Sequence, residues 1–322
     1  MKRIELPKVN NQNLTVDELF ASYVKRKTAD NIAKESLEFY RDCFKRFTGF
    51  FPKDGLCKEI SQDTIDDYIS YLRDSSPNIK GVSINSYLRG IRAFLYYGME
   101  KGCVAPFTIK MIKVVEEVKE PFTDTEIAIL LIKPNVEKCS FTEYRNWVMS
   151  NYLIGTGNRL GTVVGIKNKD VDFDLRRVLL RETKNKRQYY IPLSNALVTI
   201  LTEYMQYRQG DDEDYLFCTE VGKQFTKSGL QTTFVKYHKK KGVKCTSIHR
   251  YRHTFAKGFI LNGGGEMQLQ SLLGHSDPNM SRKYVKLYAQ DIGQGYELLN
   301  PLDTYRKAFI GEKIRMNSKL GD

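Results

Sequence analysis

No apolar run in this 322-residue chain approaches the roughly 18 residues that a membrane-spanning helix needs. The N-terminus, Met1-Lys2-Arg3-Ile4-Glu5, is charged and leads into no apolar stretch of the kind a secretion signal carries. The six cysteines (Cys43, Cys57, Cys103, Cys139, Cys218, Cys245) include no close pair, which argues against a zinc ribbon and against a disulfide framework. A reducing, cytoplasmic setting is expected. Internal repeats and low-complexity segments are lacking, and so is any carboxylate cluster or ligand spacing of a metal site. Neither a metal nor a cofactor is therefore expected. Acidic residues are the scarcer charge, 38 against 51 basic ones, which leaves a formal net charge of +13. Such a balance serves solubility in the plainest reading and a polyanionic partner in the sharper one.

At 41% hydrophobic and 28% charged, what remains is an ordinary globular composition, in a chain long enough for two domains. A short polar lead occupies residues 1–13. Thr15 and Glu18 form a capping-box pattern, and helical spacing follows through Leu37-Tyr40-Phe44-Phe47, Ile65–Leu72 and Ser83–Gly98. This predicts an all-helical unit over 14–107, ended by Gly102 and Pro106. The Lys-, Glu- and Val-rich stretch 108–120 reads as a linker. A second capping box, Thr123 with Glu126, opens a domain over 121–292. That domain is helical except at Asp170–Leu193, where alternating apolar residues flank a charged middle and predict a small hairpin or meander. The amphipathic tail 293–322 either caps its own domain or docks on another subunit.

The chemistry-bearing residues are concentrated in a few places. Ser247-Ile248-His249-Arg250-Tyr251-Arg252-His253 puts His249 and Arg252 three apart on a helix, sharing a face. Leu273-Gly274-His275 follows, and Tyr284 stands nine residues beyond His275. Upstream, Gly155-Thr156-Gly157-Asn158-Arg159 ends a helix, and Thr183-Lys184-Asn185-Lys186-Arg187 fills the charged middle of the predicted hairpin. Each has a plainer reading. His249 and His253, four apart, have the spacing of two zinc ligands but no third nearby. Arg159 alone reads as a surface arginine, Lys186 competes with Lys184, and Tyr288 lies one turn beyond Tyr284.

In this order the set resembles the tyrosine recombinase family of lambda-type integrases, Xer recombinases and related transposon enzymes, over nearly the whole chain. The resemblance implies a mainly α fold with a small β-sheet: an all-helical core-binding domain and a mixed α/β catalytic domain. It further implies a site-specific DNA recombinase with Arg159, Lys184, His249, Arg252 and His275 around the nucleophile Tyr284. Two guanidiniums suit the nonbridging oxygens of a phosphodiester, which gain charge on attack. A phenolate leaves well enough for the ester to be reversed, and a hairpin lysine suits the protonation of the departing 5′-oxygen. Thr162 departs from the pattern, since the family usually carries Glu or Asp three residues after the first arginine.

Arg89 and Arg92, i and i+3 on the fourth helix, with Lys45, Arg46, Lys186 and Arg187, are the candidate DNA contacts; the plainer reading is a solvated face. The implied partners are double-stranded DNA, three further copies in a tetramer and an accessory DNA-bending protein. Integration or excision of a mobile element is the leading role, with Xer-like dimer resolution or inversion as the alternative. The short lead is too small for an arm-binding domain of the lambda kind. A type IB topoisomerase and a non-catalytic DNA-binding regulator are the rivals from outside the recombinases.

Overall fold

The computed structural model describes residues 13–115, 120–181, 188–244 and 246–288. The chain divides into two compact units, Met1–Glu117 and Val118–Asp322.

Among its described residues the first unit holds four α-helices: α1 (Val16–Ala29), α2 (Lys34–Phe47), α3 (Gln62–Ser75) and α4 (Gly81–Glu100). The capping box forms at its start, with the Thr15 hydroxyl accepting from the Glu18 N–H at 3.2 Å and Glu18 accepting from the Thr15 N–H at 2.9 Å. The core is aromatic. Phe20 stacks on Phe44 at 3.7 Å between centroids, and Phe94 meets both rings edge-on. Helix α2 crosses α4 at Gly90, where a Cβ would lie 2.5 Å from Cys43 Sγ. Only glycine permits that approach.

The segment beginning at residue 108 differs from the linker its composition predicts. Ile109 is buried, and the Asn85 side chain satisfies both backbone groups of Ile112 at 2.9 Å each. Two apolar side chains and an amide clamp outweigh a charged composition, so the chain stays on the first unit at least to Ile112.

The second unit opens with α5 (Asp124–Leu131), whose Thr123–Glu126 capping box also forms. The long α6 (Phe141–Thr156) is buried on most of its faces, with α5, α8 (Asn195–Arg208), α9 (Lys227–Lys240) and α10 (His249–Leu261) packed around it. Its Arg145 is buried too, donating to the Cys218 carbonyl at 2.8 Å and lying over the Phe225 ring. Between α6 and α8 come the short α7 (Leu160–Val163) and an antiparallel meander of β1 (Val171–Asp172), β2 (Arg177–Leu180) and β3 (Tyr189–Pro192). Val178 pairs with both Val171 and Ile191, so the alternation seen in the sequence places Val178, Leu180 and Ile191 in the core. A smaller apolar cluster ties α10 to α11 (Glu266–Leu273) and α12 (Pro278–Tyr288) through Ala256, Ile260, Leu269, Leu273 and Tyr288.

Candidate active site

Helix α6 ends at Gly157, in the left-handed region at φ 62°, with its N–H bonded to the Leu153 carbonyl. A Cβ there would meet Phe255 of α10 at 2.5 Å and Leu273 of α11 at 2.8 Å, so three elements converge on this glycine. The next residues are Asn158, buried and donating to the Tyr152 hydroxyl, and Arg159, which caps α7.

Helix α10 is held in rotation by its Tyr251, whose hydroxyl meets Ser150 Oγ of α6 at 3.0 Å and His238 Nε2 of α9 at 2.8 Å. The neighbouring Arg252 therefore points at the end of α6. Its guanidinium is buried and donates from Nη1 to the Gly157 carbonyl at 3.0 Å and from Nη2 to the Leu273 carbonyl at 2.7 Å. Arg159 reaches the same turn more loosely, with Nη1 at 3.4 Å from the Leu273 and Gly274 carbonyls.

Gly274, at φ 60°, closes α11, and the His275 N–H returns to the Gln270 carbonyl. This reversal turns His275 inward. Its Nδ1 meets Ser281 Oγ of α12 at 2.8 Å, while Nε2 is buried without a hydrogen-bond partner. Tyr284 stands one turn beyond Ser281 on the same face of α12, its ring parallel to that of His275 with centroids 6.3 Å apart. The nine-residue spacing is thereby explained: a cap, a turn, and a helix that first holds His275 and then presents Tyr284.

Arg159, Arg252, His275 and Tyr284 are thus brought together, from α7, α10, the α11–α12 turn and α12. His249, the first residue of α10, is exposed. Lys184, Lys186 and Arg187 lie outside the described residues, as does the tail 293–322. Tyr288, the rival nucleophile, is buried in the small cluster with Ile260 and Leu273. Thr162 is buried in α7, its N–H donating to the Arg159 carbonyl.

Two residues were missed at the sequence level. His253, one turn after His249, has Nδ1 at 3.0 Å from the Tyr284 hydroxyl. Tyr189, at the start of β3, puts its hydroxyl against Gly274, where a Cβ would lie 2.4 Å from it. The signal for His253 was its helical spacing from His249, which cannot tell which imidazole faces a tyrosine 31 residues away. No sequence signal marked Tyr189.

Burial, together with the neighbouring Arg159 cation, lowers the Arg252 pKa to about 10, which leaves it charged at neutral pH. Burial raises the Tyr284 phenol, against the opposing pull of Arg252 and Arg159. Burial and the same two cations lower His275 to about 4, with Asp277 acting in the other direction. His275 is therefore neutral in the fold yet charged in the unfolded chain over the window from about pH 4 to its usual value near 6.5. The unfolded state binds the extra proton there, so stability rises with pH across that window and falls on acidification. A loss on the order of 2 kcal/mol is expected, allowing for partial solvation of the ring. Denaturant melts at pH 4.5, 5.5 and 7 would measure it, and His275→Asn should flatten the dependence. Equal slopes in the variant and the unaltered protein would refute the assignment.

In the first unit Lys45 is exposed on α2, and Arg46 lies over the Tyr87 ring while donating to Ser76 Oγ at 3.0 Å. Arg89 is exposed on α4, with Nε bonded to the Asn85 carbonyl at 3.1 Å, and Arg92 is half-buried one turn on.

The sequence pattern of the phage integrase family matches residues 122–291, and that of a phage integrase SAM-like domain matches 15–114. The tyrosine recombinase XerC of Staphylococcus aureus (strain JH9) is 25% identical over 284 residues, 85% of this chain and 93% of that protein. Among solved structures, a Tn1549 transposon integrase in complex with transposon right end DNA superposes with a TM-score of 0.74 at 19% identity, covering 89% of this chain and 100% of that one. A lambda integrase dimer bound to a COC′ core site gives 0.69 at 15% identity, over 84% and 95% of the two chains. The structural likenesses establish the fold, mainly helical with its three-stranded sheet. Matched over more than half its length by the phage integrase family pattern, and over residues 15–114 by that of a phage integrase SAM-like domain, the chain belongs to the phage integrase family and is a tyrosine recombinase, an enzyme of site-specific DNA recombination.

Proposed function

We propose that this recombinase cleaves and rejoins double-stranded DNA through a 3′-phosphotyrosine at Tyr284, assisted by Arg159, Lys184, His249, Arg252 and His275. The convergence of Arg159, Arg252, His275 and Tyr284 around the Leu273–His275 turn carries this reading. Attack on a phosphodiester adds charge to its nonbridging oxygens, and two neighbouring guanidiniums, that of Arg252 buried and that of Arg159 half-buried, stabilise that charge. The buried, unpartnered His275 Nε2 supports a hydrogen bond to the phosphate or to the tyrosine. Lys184, which falls between β2 and β3 in the sequence, protonates the departing 5′-oxygen, and His249 supplies a further donor. The phenolic ester keeps the energy of the broken bond, so a 5′-hydroxyl from a second strand reverses the step.

The enzyme acts in the cytoplasm as a homotetramer on two DNA sites, with an accessory DNA-bending protein. Lys45, Arg46, Arg89, Arg92, Lys186 and Arg187 bind phosphates and position the duplex. The likeness to a transposon integrase supports integration and excision of a mobile element. The XerC likeness favours a second reading, resolution of replicon dimers.

The test is covalent capture from a library of nicked duplexes with randomised flanks, followed by denaturation and sequencing of the adducts. Adducts at DNA 3′ ends sharing an inverted-repeat site are expected. Duplexes that bind and are released intact would show a regulator instead. Plasmids bearing the captured site then separate joining of unlike sites from resolution of tandem copies.

A further inference from the structure

Tyr284 must lose its phenolic proton as it attacks, and the two cations beside it have no lone pair to accept one. His249 stands exposed at the first position of α10, one turn before His253. His275 already has Nδ1 engaged by Ser281, and its buried ring, near a pKa of about 4, is a weak base at neutral pH. His253 is in contact, its Nδ1 at 3.0 Å from Tyr284 Oη and the two rings tilted by 47° with centroids 5.6 Å apart. We infer that His253 is a further catalytic residue of this enzyme, the base that takes the Tyr284 proton on cleavage and returns it on religation.

The inference rests on the proposed phosphotyrosine chemistry. With its other proton on Nε2, a neutral His253 offers the Nδ1 lone pair to the phenol. As the Oη–P bond forms and the P–O5′ bond breaks, the phenolic proton passes to Nδ1. The 5′-oxygen takes its proton from a separate donor, Lys184 in the reading above. In the reverse step the 5′-hydroxyl attacks phosphorus, Oη leaves, and the His253 imidazolium reprotonates it. The contact is set by the packing of α10 on α12, with the Ala256, Ile260 and Tyr288 cluster one turn further along. Two helices locked by an apolar seam hold base and nucleophile at hydrogen-bond distance before DNA arrives, which is the geometry a general base requires.

The test compares single-turnover adduct formation by the full chain on the captured site for the unaltered enzyme, His253→Ala and His253→Asn. Asparagine offers an oxygen near the place of Nδ1 and accepts the same hydrogen bond, but it takes no proton. Both variants are expected to slow cleavage by about 10²–10³-fold, within the range a positioned base contributes. A third arm uses the same site with sulfur in place of the bridging 5′-oxygen, a leaving group that needs no proton. The His253 defect should persist there, because attack still needs the phenolate. Three outcomes would overturn the inference: unimpaired His253→Ala, recovery of His253→Asn to within tenfold of the unaltered rate, or rescue of either variant by the sulfur substrate. The second would make His253 a positioning residue, and the third would move it to the leaving group. Should His253→Ala fail to bind the site or to melt as a folded protein, His253→Asn decides alone. Absence of adduct with the unaltered enzyme would count against the phosphotyrosine reading itself, a different failure.

Discussion

Tyr284→Phe is expected to abolish covalent capture of DNA, by on the order of 10⁴-fold or more, the scale on which removal of a nucleophile acts. The fold should survive, because the ring stays in place and the variant loses the hydroxyl's contacts to His253, at 3.0 Å, and to Arg252, each worth about 1 kcal/mol. Tyr288, four residues later, should behave in the opposite way. Its ring is buried in the apolar cluster with Ile260 and Leu273. Tyr288→Phe should keep full capture, whereas Tyr288→Ala should lose about 3–5 kcal/mol of stability from the cavity it leaves. The measurement is the adduct band on a denaturing gel, set beside a melting curve for each variant. Adduct that persists in Tyr284→Phe and disappears in Tyr288→Phe would reverse the assignment.

That contrast shows how far the sequence alone carries. The family resemblance singles out Tyr284 among 20 tyrosines by its distance from His275, and the structure gives that distance a local account in a cap, a turn and one helix. Both capping boxes are legible for the same reason, their partners lying within one turn. The meander is legible in the alternation around Val178 and Ile191, whose cross-strand pairing keeps one face inward. His253 is a different case. Its partner lies on another helix, and only the crossing of α10 with α12 selects it over His249, which has the same residue type and a neighbouring place on the helix. The linker read over 108–120 rests on the Lys, Glu and Val of the stretch as a whole, and its first residues, Thr-Ile-Lys-Met-Ile, are where it departs: the anchor that holds Ile112 is Asn85, 27 residues away. Spacing rules report local geometry, and long-range pairing escapes them.

The two arginines should separate stability from chemistry in the same spirit. Arg252 is buried and joins the end of α6 to the end of α11 through the Gly157 and Leu273 carbonyls, while the half-buried Arg159 approaches that turn only at 3.4 Å. Arg159→Ala should therefore cut cleavage by about 10²–10³-fold, the cost of removing one preorganised donor to a developing oxyanion, with little change in melting. Arg252→Ala should lose at least as much activity and also about 1–3 kcal/mol of stability, since two buried carbonyls lose their donor. Arg252→Lys divides the two roles. An ammonium on a flexible stem cannot span both carbonyls and still offer a second fixed donor to the phosphate, so stability should partly return while cleavage stays about 10²-fold or more below the unaltered enzyme. Melting curves and single-turnover cleavage on the same site would measure this. A lysine variant that cleaves within tenfold of the unaltered rate would show that Arg252 serves the fold alone, and would leave Arg159 as the principal phosphate ligand.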